Sequence, residues 1–291
     1  MRRRQIITAG TAAAAALAGC SAPGTSRPHA SAASTSGSAG TPLSRDAVTT
    51  APRLFGPALE PRTTGSFGLD RALLMAVPHP VLGRLLRVRY PAGSASPTVA
   101  RQYGKPEGGA QLYLALRSGP AQALNLRYYV RFPQEFDFVK GGKLPGLYGG
   151  SVTSGRHIPD GEDGLSTRYM WRRGGTGEVY AYLPTSVQHG TSLGSGDWRW
   201  PVGRWTCVEQ AVRLNTPGRS DGSVTVFLNG ARVLRSDDLE FRTTSRLGIE
   251  GVFFSTFFGG SDPSWSTPRT QFAEFAAFAV SGHYIGPLPG I

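Results

Sequence analysis

The chain has 291 residues, a formal net charge of +12, 40% hydrophobic and 10% aromatic residues, 39 glycines and 22 prolines. That aromatic content can build a core and excludes a fully disordered chain; no apolar run after residue 20 reaches the roughly 20 residues of a spanning helix, which excludes a polytopic membrane protein. The excess of 31 Lys+Arg over 19 Asp+Glu suits a polyanionic partner, without choosing among nucleic acid, acidic polysaccharide and an anionic surface.

In chain order, Arg2-Arg3-Arg4-Gln5-Ile6-Ile7 and the Ala-rich run after it predict an export signal over residues 1–19. Its basic start resembles a twin-arginine signal, and Leu17-Ala18-Gly19-Cys20 resembles a bacterial lipobox, where cleavage leaves a lipid-modified Cys20. The expected location is therefore the cell surface or exterior. Residues 20–58, rich in Ser, Ala, Thr, Gly and Pro, read as a flexible tether, and 59–291 as one domain. With Cys20 acylated, Cys207 has no disulfide partner, and its apolar run Trp205-Thr206-Cys207-Val208-Glu209 makes it a small buried hydrophobe.

Residues 67–77 are the one stretch with a helical case. Elsewhere the apolar period is two: Leu86, Val88 and Tyr90; then Leu124, Leu126, Tyr128, Val130 and Phe132. Val224, Val226 and Leu228 run into Asn229-Gly230, a hairpin turn signal, before Val233-Leu234. Ile249 to Phe258 reads as a central strand covered on both sides, and Phe272, Phe278 and Val280 at even spacing predict a last strand. Many short strands between Gly/Pro turns predict an all-β fold, a β-jelly-roll sandwich of two antiparallel sheets.

Three stretches carry candidate chemistry. Lys140-Gly-Gly-Lys143-Leu-Pro-Gly-Leu-Tyr148-Gly-Gly150 lets backbone approach a ligand closely beside two lysines, and it lacks the Gly-Lys-Ser/Thr ending of a phosphate loop. In Leu165 to Arg172 the core takes Leu165, Tyr169 and Trp171, which turns Ser166, Arg168 and Arg172 to the opposite face. In Val179 to Leu183 the same alternation turns Tyr180 and Tyr182 outward. Outward Arg and Tyr on neighbouring strands suit a carbohydrate groove, although each strand alone also reads as a solvated face. Asp160, Glu162 and Asp163 lie in a Gly-rich loop, as turn residues or a calcium site. The five histidines show no paired ligand spacing, and the charge comes without a nucleic-acid recognition motif.

Those stretches, with Leu214-Asn-Thr-Pro-Gly, Phe227-Leu-Asn-Gly and Phe254-Ser-Thr-Phe-Phe-Gly-Gly, resemble in their order polysaccharide lyase family 14 and its glucuronan-lyase relatives over about residues 84–280. The resemblance implies a β-jelly-roll lyase of uronic-acid polymers such as alginate or glucuronan, with Lys143, Ser166, Arg168, Tyr180 and Tyr182 at the family's functional positions. Lys140 and Arg172 are expected to help bind substrate. No cofactor is required by that chemistry, and an acidic polysaccharide, a membrane reached through the lipid anchor and a monomeric state without nucleic acid complete the expectation. β-Elimination removes the C5 proton beside a carboxylate and expels the C4 oxygen, so the carboxylate must first be neutralised. Arg168 can do so by a two-point pair, and Tyr180 or Tyr182 can move the proton, with Lys143 as acid, base or charge. A noncatalytic carbohydrate- or cell-wall-binding sandwich is the alternative.

Overall fold

A computed structural model of the chain describes residues 40–42, 52–76, 79–155 and 157–291. The expected export signal, Cys20 and the tether up to residue 39 lie outside the described residues. Alternation becomes strands throughout: β1 (Thr41–Pro42), β2 (Leu59–Phe67), β3 (Ala72–Ala76), β4 (Arg84–Tyr90), β5 (Ala110–Leu116), β6 (Ala123–Arg131), β7 (Gly141–Gly150) and β8 (Gly164–Arg172). There follow β9 (Gly177–Tyr182), β10 (Thr191–Leu193), β11 (Trp205–Arg213), β12 (Gly222–Leu228), β13 (Ala231–Leu239), β14 (Gly251–Phe258) and β15 (Gln271–Ser281).

They form an eight-stranded sheet, ordered β1-β3-β4-β15-β6-β11-β12-β13, and a seven-stranded sheet, ordered β10-β9-β8-β7-β14-β5-β2. Every strand pair within them is antiparallel. The sheets meet face to face as a jelly roll. Leu126, Tyr128 and Val226 from one sheet and Leu144, Tyr169 and Val252 from the other share a single core cluster. Burial of such apolar surface at about 25 cal/mol per Å² is the main force holding the layers together.

Some expectations change. Of the stretch 67–77, the described part up to residue 76 is not a helix: Leu69–Arg71 makes one 3-10 turn and Ala72–Ala76 is strand β3, because Leu73 and Leu74 pair with Arg87 and Leu86 of β4. Helices form instead at α1 (Pro52–Phe55) and α2 (Pro97–Tyr103). Ser96 caps α2 by accepting from the Val99 N–H, and Gly104 ends it with φ 59°. Leu54 and Phe55, from the stretch read as tether, pack in the core, Phe55 against Phe254 and Phe278.

The hairpin β12–β13 turns on Asn229 and Gly230, both at positive φ (48° and 84°), as the sequence requires. In β15 the alternation breaks between Ala276 and Ala279, with Ala277 at φ 50°. This bulge puts Ala273, Phe275 and Phe278 in the core and leaves Phe272 on the outer face under Arg87. Cys207 is a free, buried cysteine, in a smaller apolar cluster on the outer face of the eight-stranded sheet.

Candidate active site on the outer face of the seven-stranded sheet

The glycine-rich stretch is β7, in the middle of the sheet between β8 and β14. Pro145 has no N–H to give a ladder, and the register with β8 shifts between Leu144 and Gly146 around it. The shift sends both Leu144 and Leu147 into the core and leaves Lys143 on the outer face. Gly146 is needed where it stands: a Cβ there would lie 2.2 Å from the Thr167 carbonyl oxygen and 2.5 Å from Arg168 Cα.

On β8 and β9 the alternation sorts side chains as expected. Leu165, Tyr169, Trp171, Val179, Ala181 and Leu183 enter the core, so Arg168, Arg172, Tyr180 and Tyr182 share the outer face with Lys143. Antiparallel register sets Arg168 beside Tyr180 and Ser166 beside Tyr182. Lys143 Nζ lies 3.4 Å from the centroid of the Tyr180 ring and 3.0 Å from Met170 Sδ.

Arg168 is turned out of the inter-sheet core, yet it is not exposed. Only 2% of it reaches solvent, because Phe253, 4.5 Å from its Cζ to the ring centroid, and Tyr182, at 6.0 Å, cover it. Among the described residues its one side-chain hydrogen bond is long, 3.4 Å from Nη1 to Ser255 Oγ, and Nε has no partner. It forms no ion pair among the described residues. Burial brings its pKa down to about 10, against the upward pull of Tyr182, Tyr113 and Tyr180. A cation buried without a carboxylate is costly by several kcal/mol, and a carboxylate arriving from outside relieves that cost.

Lys143, 8% exposed, is held well below the ordinary lysine range, first by burial and then by Arg168 and Arg172, with Glu178 pulling the other way. Burial and like charge thus disfavour the charged form of this amine. Both tyrosines are pushed upward by burial. Arg172 and the Gly190 amide pull Tyr180 back, and Arg168 does the same for Tyr182.

The remaining expected residues divide. Ser166 Oγ donates to the Thr153 carbonyl at 2.7 Å and Tyr182 Oη donates to that of Gly155 at 2.7 Å, so both hydroxyl protons are committed to the 151–155 wall. Arg172 is tied to Glu178 by Nε at 2.9 Å and Nη2 at 2.6 Å. Lys140 stands at the margin, its Nζ 2.5 Å from Ser264 Oγ. Asp160 accepts from the Glu162 and Asp163 N–H groups, as turn residues do, and among the described residues no group of three His, Cys, Asp or Glu gathers around a metal position.

Glu178, Phe253, Ser255 and Tyr113 belong to the site and were not anticipated. Glu178 has the parity of Tyr180 and Tyr182, and Phe253 and Ser255 have the parity opposite to the core residues of β14, so period two was signal enough for them. Tyr113 needed knowledge that β5 lies beside β14, where it stacks on Phe253 at 4.5 Å.

A family model described as Polysaccharide lyase 14 matches residues 80–278. Among solved structures, the chain is similar to the PL-14 alginate lyase of Aplysia kurodai at 31% identity and TM-score 0.65, over 74% of this chain and 88% of that one. Alginate lyase vAL-1 from Chlorella virus is similar at 22% identity and TM-score 0.66, over 82% and 97%. Alginate lyase Aly36B is similar at 23% identity and TM-score 0.60, over 74% and 85%. The last two speak to the fold alone. No curated protein matches the chain. With the family model matching residues 80–278 and the Aplysia enzyme 31% identical over 74% of the chain, the chain belongs to polysaccharide lyase family 14.

Proposed function

We propose that the protein cleaves uronic-acid polymers by β-elimination, with Arg168 neutralising the carboxylate of the unit that loses its C5 proton. The observation that carries this is the burial of Arg168 with no ion pair among the described residues and with its Nε unpaired there. Lys143, uncharged, takes the C5 proton; the C4–O bond breaks as the C4–C5 double bond forms; Tyr180 gives its proton to the departing O4. The protonated amine over the Tyr180 ring then returns a proton to the tyrosinate, and no water enters the products. Tyr180 is preferred to Tyr182 because Tyr182 already donates to Gly155. Arg168 and the neighbouring cations favour the dianion that develops, and such aimed charge is the main rate term. The same proposal places the protein outside the cell on a lipidated Cys20, supported by the Leu17–Cys20 sequence.

Ultraviolet absorbance of the unsaturated uronate tests the reaction on glucuronan, alginate and other acidic polymers. Arg168→Lys keeps charge and loses the planar fork; Arg168→Ala loses both. Each is expected to lower kcat/KM by about 1.5–3 kcal/mol, tenfold to a hundredfold, with the thermal midpoint kept. Binding with no absorbance rise for any polymer would instead make the protein a noncatalytic carbohydrate-binding sandwich, and a stable Arg168→Ala with full activity would remove Arg168 from the mechanism.

A further inference from the structure

Trp265 stands beside this site with no part in the proton transfers. It closes the 3-10 turn Pro263–Trp265 between β14 and β15. That turn is fastened on several sides. Asp262 accepts from the Ser264 N–H at 2.8 Å, Ser96 Oγ donates to the Gly260 carbonyl at 3.0 Å, and the Thr267 N–H donates to that of Ser94 at 3.0 Å. Two glycines let the indole lie on backbone: a Cβ on Gly260 would fall 2.0 Å from its Cγ, and one on Gly141 3.2 Å from its Cζ3. The ring is nevertheless only half buried, whereas Trp171, Trp198 and Trp200 are buried.

Arg172 links it to the site, its Cζ 6.0 Å from the Trp265 ring and 5.6 Å from the Tyr180 ring. Glu178 holds the guanidinium there, and Lys140, on Ser264, adds a second cation at the rim. Gly141, under the indole, precedes Lys143 by two residues on β7, about 7 Å along the strand, the order of one sugar unit. A rigid aromatic face with cations on its edge matches the apolar C–H face of a pyranose and the carboxylate it carries.

We propose that Trp265, rimmed by Arg172 and Lys140, is a stacking platform for a uronate unit of the polymer next to the unit that reacts. The proposal rests on the polyuronate reading of the site. It makes affinity depend on chain length: a substrate too short to reach the indole gains nothing from it.

The test compares wild type, Trp265→Ala and Trp265→Phe on polyuronate and on its oligosaccharides of graded length. Trp265→Ala is expected to raise KM for polymer on the order of tenfold with kcat nearly kept, to flatten the length dependence, and to leave the shortest cleaved oligosaccharide unaffected; Trp265→Phe should lie between. An unchanged KM on polymer, or an equal loss at every length, overturns the platform. Should Trp265→Ala fail to fold, Trp265→Phe carries the test: polymer should quench tryptophan emission in wild type and less in the variant, and equal quenching overturns it. If wild type forms no unsaturated product at all, the reaction fails separately. The platform is then judged by retardation in native gels containing polyuronate, where equal retardation of wild type and Trp265→Phe overturns it.

Discussion

Lys143 sits where burial and two arginines disfavour its charged form, and the proposed proton transfer uses that. A lysine whose folded pKa is depressed binds fewer protons folded than unfolded, so stability rises with pH from the depressed value up to the ordinary value of about 10.4. Lys143→Met removes an amine whose charge is disfavoured by burial and by two arginines. It is expected to stabilise the protein by about 1 kcal/mol at pH 7, with the gain fading as pH nears 10.4, while lyase activity is lost. Thermal unfolding over a pH series checks this. A variant less stable than wild type at every pH would mean that the amine is compensated in the fold. Under the proposed function Arg168 follows the same logic: a buried cation with no ion pair among the described residues would be completed by the incoming carboxylate.

At the scale of elements, the site's strands were legible because one period serves both layers. Once Tyr169, Trp171, Val179 and Ala181 are assigned to the core, Arg168, Tyr180 and Tyr182 have one face left to occupy. What stayed hidden in the sequence lies where the period slips. Pro145 in β7 and Ala277 in β15 each mark a bulge, and beyond a bulge every side chain changes face. That is why Phe272 is outward, against its even spacing with Phe278. Ala72–Ala76 looked helical because its residues favour helix locally, and pairing with β4 overrides that preference. The glycines of β7 make room inside a sheet. Gly142 is one such place: a Cβ there would lie 2.0 Å from Trp171 Cζ2, and that indole is fully buried and bonded through Nε1 to the Phe138 carbonyl at 3.2 Å. Gly142→Ala should therefore destabilise the domain by about 3 kcal/mol and lower activity through displacement of β8. Denaturant unfolding measures it, and a loss below about 0.5 kcal/mol would show that the indole swings aside at little cost.

At the scale of the whole molecule, the proposal makes the lipid anchor dispensable for the reaction. Cys20→Ser is expected to release an otherwise active, exported protein from membranes, as followed by fractionation after a salt wash. Continued membrane retention of that variant would count against lipidation at Cys20. The order of strands has a further consequence, this one in time. β15 lies between β4 and β6 in one sheet, and β14 between β7 and β5 in the other, so the middle of each sheet is supplied by strands that come after their neighbours in the chain. A nascent chain not yet translated through residue 281 leaves β4 and β6 with bare edges facing a missing strand, and bare edges invite pairing with other chains. Protection from aggregation and from proteases must then arrive late and together, when β15 leaves the ribosome and slots between two strands that were made long before it.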